Sequence, residues 1–291
     1  MNPGQTIRPA RPGEGEDIAA LIRLSLPPEL RPLTIWESPG AGRYVESTLQ
    51  GALAGESHRY YVLRHGADLE GIAAFRKLGT AAFLNHLYIA PHLRGRSLGT
   101  TLLRQAARYY LQHVPLRQIA LDVFPQCALA GSWYERLGFV EADRRGWWLL
   151  DSDPKVSAKN ISAQILEGCS CDPAWGFSRF QVLFPDGRCY EVGRLPGPYL
   201  RLTDEQAALD ADLREALSRC DPNRKLLLIA DSTTLIRDFG RRDRDRSERF
   251  GPLANQQMQE TEWKQAGVSR RLRCDTALLL RNLRGEAAVR L

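Results

Sequence analysis

The chain has 291 residues, 43% of them hydrophobic and 25% charged, which excludes wholesale disorder, collagen-like repeats, coiled-coil rods and a disulfide-stapled miniprotein. At roughly 100 to 200 residues per domain, this length implies two domains. No apolar run exceeds five residues, as at Leu226–Ala230, against the roughly 20 that a bilayer span needs. The start MNPGQTIRPARPGEGED lacks the apolar core of a secretory signal, so a cytoplasmic protein without membrane contact is expected. The net charge of +6 is mixed in sign along the chain and forms no basic stripe, which argues against a nucleic-acid partner. The six cysteines, Cys127, Cys169, Cys171, Cys189, Cys220 and Cys274, contain one C-x-C pair and no C-x-x-C. Reduced, mostly buried thiols are therefore expected in preference to a zinc site at Cys169, Cys171 and Cys189.

Along the first half, strands and helices alternate. Ile7–Arg11 reads as a strand, and an acidic turn leads to a helix with Ile18, Leu21 and Ile22 on one side. Four prolines, Pro27, Pro28, Pro32 and Pro39, interrupt the pattern before a helix over about 42–53. Strands are predicted at His58–Arg64 and Leu69–Leu78, joined by a turn, and at Ala81–Ile89. Strict alternation in the last places Phe83, Asn85, Leu87 and Ile89 on one face and Leu84, His86 and Tyr88 on the other.

From Leu87 the sequence runs LYIAPHLRGRSLGTTLLRQAARYY. A strand, a proline, an Arg/Gly-rich loop and a helix with Leu102, Leu103, Ala106 and Tyr110 on one side follow each other. A glycine-containing loop at a helix N-terminus suits an anion, because amide donors and the positive end of the helix dipole converge there. The segment is neither a P-loop nor a Rossmann fingerprint: it lacks the G-K-S/T ending and the G-x-G-x-x-G spacing. After the helix come a strand at Gln118–Phe124 and a helix at Ala128–Leu137, whose stripe Leu129, Trp133 and Leu137 leaves Tyr134 to one side.

Taken in order, these segments resemble the GNAT superfamily of acetyl-CoA-dependent N-acyltransferases over about residues 6–150. Arg94-Gly95-Arg96-Ser97-Leu98-Gly99 corresponds to the family's loop, and Ala130, Tyr134, Gly138 and Phe139 to its later motif. The resemblance implies a mixed central sheet flanked by helices, of class α/β (α+β), with acetyl-CoA as cosubstrate, no metal, and an amine acceptor. It implies coenzyme contacts from the strand backbone at Leu87, Tyr88 and Ile89 and from the loop Arg94, Gly95, Arg96, Ser97, Leu98, Gly99 and Thr100. It also implies that Tyr134 protonates the departing thiolate, the alternative being a packing role beside Trp133 and Leu137. Two positions depart from the family pattern. Ser97 stands where glycine is usual, which would strain a positive φ, and Cys127 replaces the common asparagine at the start of a helix. The strand Ala81–Ile89 carries no carboxylate, so His86, or Asn85 holding a water, are the candidates for deprotonating the amine. The proline-rich loop Ser25–Gly40 with Trp36 lies where the family builds its acceptor pocket.

The polar stretch 151–160 marks the domain boundary, giving 1–152 as the GNAT-like domain, 153–160 as a linker and 161–291 as a second, smaller α/β domain for substrate recognition, regulation or partner binding. A chain ending near Pro154 is expected to fold alone. In the second domain the pattern predicts a strand at Ser162–Cys169, a hairpin of Phe180–Phe184 and Cys189–Val192, and a helix capped by Thr203-x-x-Gln206 with Leu209, Leu213 and Leu217 in line. Further strands are predicted at Leu226–Ala230 and Thr276–Arg281. Asp231–Thr234 reads as a ligand or capping turn, and Arg237–Asn255 as a long, charge-balanced loop. The expected function is direct acetyl transfer from acetyl-CoA to a primary amine in a ternary complex. An acyl-CoA-sensing protein that signals through its second domain is the alternative, and a homodimer is compatible with either.

Overall fold

The computed structural model describes residues 4–51, 58–150, 162–168, 172–231 and 263–288. The expected C-x-C pair, the linker 153–160, the turn after Asp231 and the long loop 237–255 lie outside them. Contacts divide the chain into two compact units. The first is Met1–Asp143 with Ala174–Gly176 and Arg270–Leu291, and the second is Arg144–Pro173 with Phe177–Ser269. This partition differs from a division at 151–160, because segments from late in the chain pack into the first unit.

In the first unit, strands β1 (Gln5–Pro9), β2 (Arg59–His65), β3 (Asp68–Leu78) and β4 (Ala81–Ile89) form an antiparallel meander. Helix α1 (Gly15–Ser25) packs on β3 and β4, with α2 (Ala41–Leu49) beside it. Helix α3 (Leu98–His113) returns the chain so that β5 (Gln118–Val123) runs parallel to β4. Its Leu102, Leu103, Ala106 and Tyr110 are fully buried, as the helical spacing requires. Burial alone would raise the Glu14 carboxyl, but hydrogen bonds from Arg8, the Arg11 N–H and Arg64 bring it down to about 2, so this carboxylate ties β1, α1 and β2 together.

Helix α4 (Ala128–Arg136) begins at Cys127, which makes no side-chain cap. The expected stripe on α4 is overturned: Leu129 is 91% exposed, whereas Tyr134 is 7% exposed. The buried side of this short helix is the one that carries Gly131 and Tyr134. Strand β6 (Val140–Leu150) follows, and β12 (Trp263–Asp275) lies antiparallel to β5 with Arg271 opposite Asp122 and Leu272 opposite Leu121. The predicted strand Thr276–Arg281 is instead the start of helix α7 (Thr276–Ala288). Its apolar run is a helix flank, which a short run does not distinguish from a buried strand. Gly138, at φ +92, lies under this helix: a Cβ there would meet Asn282 Nδ2 at 3.0 Å and Leu278 Cδ2 at 3.2 Å.

In the second unit, β7 (Gln164–Glu167), β8 (Ser178–Leu183), β9 (Cys189–Arg194) and β10 (Tyr199–Leu202) make a second antiparallel meander. Two helices then lead to β11 (Lys225–Asp231), which runs parallel to β10, and the second part of β6 pairs with β11 from the other side. The expected single helix is split into α5 (Glu205–Leu209) and α6 (Ala211–Cys220). Asp204, not Thr203, caps the first by accepting from the Gln206 N–H, and Asp210 caps the second. Leu213 and Leu217 join Phe180, Val182, Leu202 and Leu228 in the core. The strand and crossover order of the first unit is therefore repeated here, although no sequence repeat signals it. The thiols correct one expectation: Cys274 is buried and Cys127 half-buried, but Cys189 and Cys220 are exposed.

Candidate active site

The site arises where β4 and β5 part. Their parallel pairing runs from Ala81 opposite Gln118 to Leu84 opposite Leu121 and stops there, five residues before the end of β4. A bulge lies at the same point: Phe75 pairs with Leu84 but Ala74 pairs with His86, so Asn85 is the extra residue. This bulge overturns strict alternation along β4. Ala82 and Leu84 share the α3-side core with Leu87 and Ile89, while Phe83 joins Ala81 and Ala120 on the opposite face.

Beyond the bulge, the Ala90 N–H donates to the Glu70 carbonyl. By the alternation of an antiparallel ladder, Tyr88 and His86 turn their backbone groups toward β3, and Leu87 and Ile89 turn theirs to the side that β5 has left. Tyr88 contributes its ring, over which the Arg94 guanidinium sits at 5.5 Å, while Arg94 Nε donates to the Ile89 carbonyl at 3.0 Å.

Arg94–Gly99 forms the bend into α3. Gly95 has φ +77, and Ser97 has φ +58, the one non-glycine positive φ among the described residues. The left-handed backbone thus persists where the family pattern has glycine, at a cost of about 1 to 2 kcal/mol for a residue with a Cβ. Ser97 and Gly99 are half-buried, Leu98 and Thr100 are buried, and Arg94, Gly95 and Arg96 are exposed. The first turn of α3 has no acidic residue, so its amides and two arginines suit a pyrophosphate. A Cβ on Gly99 would touch only Ile89 Cγ1, at 3.8 Å, so the fold itself does not require glycine there.

The equivalent point of the second unit is closed. All four residues of β10 pair with β11, and the helix starts that follow are filled by the Asp204 and Asp210 carboxylates. A phosphate would meet like charge there.

Tyr134 packs among Trp133 and Phe139, with ring centroids 4.9 and 5.5 Å away. Burial, with Cys127 adding, pushes its hydroxyl well above the ordinary phenol range. Burial and Glu29 likewise push the Cys127 thiol up, so it stays protonated and poorly nucleophilic.

His86 lies on the face opposite Leu87, as the sequence indicates. Its Nδ1 is 3.3 Å from Ser25 Oγ, and Trp36 meets its ring edge-on at 5.1 Å. The proline-rich segment therefore lines this face; Ser38 of that segment donates to the Trp175 carbonyl, while the Trp175 ring meets Tyr44 of α2 edge-on. Burial, reinforced by His58 and Arg76, lowers His86 to about 3, so the imidazole is neutral and a poor proton acceptor. Asn85 accepts from Arg76 Nε at 2.9 Å through its side-chain oxygen.

The low value for His86 has a consequence for stability. With a folded pKa of about 3 against 6.5 in the unfolded chain, only the unfolded chain takes up the proton on mild acidification. Stability present above pH 6.5 is then lost as the pH falls, by about 1.4 kcal/mol per unit. Glu14 acts in the same direction but only from about pH 5 downward. Urea unfolding between neutral pH and about pH 5 should show the decline, and His86→Gln should flatten it; an unchanged slope in the variant would refute this reading.

One charged pair at the site carries no motif and is invisible to pattern reading. Asp122, the first β5 residue past the last pair with β4, accepts from Arg271 Nε and Nη2, both at 2.7 Å. Only the β5/β12 register brings Arg271 there.

The first unit is thus a mixed α+β fold in which the fourth strand of a meander leaves its parallel neighbour above the start of a helix. Residues 56–141, within the first unit, match the family model described as acetyltransferase (GNAT) domain. Two solved structures share the fold. One is a tandem GNAT protein from the clavulanic acid biosynthesis pathway, 13% identical with a TM-score of 0.59, covering 94% of this chain and 98% of its own. The other is a putative acetyltransferase from Pyrococcus horikoshii, 13% identical with a TM-score of 0.55, covering 94% and 90%. No curated protein sequence matches the chain.

Proposed function

We propose that this protein is an N-acetyltransferase that passes an acetyl group from acetyl-CoA directly to a primary amine in a ternary complex. The observation that carries the reading is the parting of β4 from β5 after Leu84 and Leu121; in this reading the side that β5 has left, toward which the Leu87 and Ile89 backbone turns, is the cleft for the coenzyme, next to the Arg94–Gly99 loop. A pantetheine arm fits such an edge as a strand-like partner, and the loop with the start of α3 suits the pyrophosphate. The thioester supplies the activated acyl group. In this reading the Leu87 and Ile89 N–H groups polarise its carbonyl. One ammonium proton passes to solvent and frees the nitrogen lone pair, and the nitrogen forms the new C–N bond. The C–S bond breaks, and the second nitrogen proton is lost as the thiolate takes one up to leave as coenzyme A thiol beside Tyr134. Because Cys127 is held protonated, it does not compete as an acyl carrier.

The test is release of coenzyme A thiol from acetyl-CoA with benzylamine, putrescine, glycinamide and a lysine-containing peptide. At least one should exceed the water background; tight coenzyme binding with none above background would favour the acyl-CoA-sensing alternative. Calorimetry should find one coenzyme A per chain, since the second unit's crossover is closed. Gly99→Val should weaken that binding by about tenfold or more, as a branched side chain blocks close backbone approach, with the melting temperature nearly kept because the new Cβ has room. Undiminished affinity in that variant, or two sites per chain, would count against the assignment.

A further inference from the structure

The first positions at which β4 and β5 no longer pair are Asn85 and Asp122. Asp122 alternates with Leu121 and Val123, which are in the α3-side core, so its side chain lies on the Phe83 and Ala120 face. This is the face on which His86, Ser25 and Trp36 meet further along β4. Asp122 is therefore a carboxylate at the mouth of the cleft, on the side away from the α3-side core, and its side chain is 24% exposed.

Its orientation is set from across the sheet. Arg271 stands directly opposite in the β5/β12 register and holds both carboxylate oxygens in a two-pronged pair, with its own side chain 14% exposed. Arg271 is itself braced, its guanidinium 5.0 Å from the Phe83 ring centroid, while Arg76 sits 5.2 Å from the same ring and donates to Asn85. Each Asp122 oxygen takes one N–H from Arg271 and keeps a second acceptor direction. A planar fork of this kind pins a carboxylate more firmly than a lysine could.

We propose that Asp122 binds the protonated amine of the acceptor at the mouth of the cleft, and that Arg271, from the late strand β12, is the positioning residue that aims its carboxylate. This rests on the acetyl-transfer reading above. An ammonium held at Asp122 sits at the fork of the two strands, beside the stretch of β4 where the thioester carbonyl would pair. Asp122 is thereby assigned a role in binding and orientation, not in proton removal.

The experiment uses the full-length protein and whichever of the four panel amines the wild type turns over fastest. Asp122→Asn should raise the acceptor KM by about 10-fold to 100-fold, the usual range for losing a charge-assisted hydrogen bond. Turnover at saturating amine and coenzyme A affinity should stay near wild type. Arg271→Lys, which keeps the charge and loses the fork, should raise the same KM to a smaller extent. The double variant Asp122→Asn with Arg271→Met leaves no unpaired charge, and it should show the same KM defect even where the single variant is unstable. An unchanged acceptor KM overturns the proposal and leaves the acetyl-transfer reading standing. A parallel loss of KM, turnover and coenzyme affinity does the same, since it marks a purely structural ion pair. Absence of amine-dependent thiol release in the wild type overturns both.

Discussion

A chain ending at Pro154 should be insoluble, or soluble only as an expanded state that melts without a cooperative transition. Such a chain lacks β12 and α7, whose Leu272, Leu279 and Leu283 are fully buried and whose Cys274 is 4% exposed in the first unit's core. Full burial of a large apolar side chain is worth about 1.5 to 3 kcal/mol. Losing the three leucines alone removes about 4.5 to 9 kcal/mol, comparable to the whole net stability of a typical domain, about 5 to 15 kcal/mol. The truncation also strips β5 of its antiparallel neighbour and exposes the edge beside Ile119, Leu121 and Val123, an invitation to aggregate. Trp175, which seals the proline-rich segment, is lost with it. Size-exclusion chromatography and thermal melts followed by circular dichroism decide the matter. A monomeric, cooperatively melting 1–154 would show that the unit closes without its late segments.

Tyr134→Phe should lower turnover by about 100-fold or more, with acetyl-CoA affinity nearly kept. The hydroxyl sits on a buried ring beside Phe139, and burial holds it protonated at any physiological pH. A raised pKa makes full proton transfer to a thiolate uphill, so under the proposed reaction the contribution expected of it is a hydrogen bond to sulfur as negative charge develops. Preorganised donors of this kind are typically worth about 10²-fold to 10³-fold. Single-turnover thiol release compared with calorimetric affinity separates chemistry from binding. Wild-type turnover in the phenylalanine variant would return Tyr134 to the core as a packing residue.

Much of the first unit was legible in the sequence because its signals are local. The apolar runs of β2 to β5, the helical spacing of α3, and Arg94–Gly99 placed between strand and helix all act within a few residues. The misreadings share one cause, which is that burial is decided by neighbours from elsewhere in the chain. Tyr134 is buried and Leu129 exposed because the rest of the unit covers one side of α4 and not the other. Thr276–Arg281 has the apolar run of a strand, and packing against α3 makes it a helix. The face change at Asn85 comes from a bulge against β3, which no alternation rule contains.

The sequence by itself determined the class of the first unit, the order of its elements and the position of the Arg94–Gly99 loop between a strand and a helix, because glycine and proline placement and short-range periodicity are properties of contiguous residues. Only the tertiary structure decided that residues 270–283 complete that unit, that Arg271 stands opposite Asp122, and that the second unit repeats the meander and crossover with its helix starts closed. Those facts depend on strand register between segments about 150 residues apart, and register is set by which buried faces fit together, a condition that no local window of residues can express.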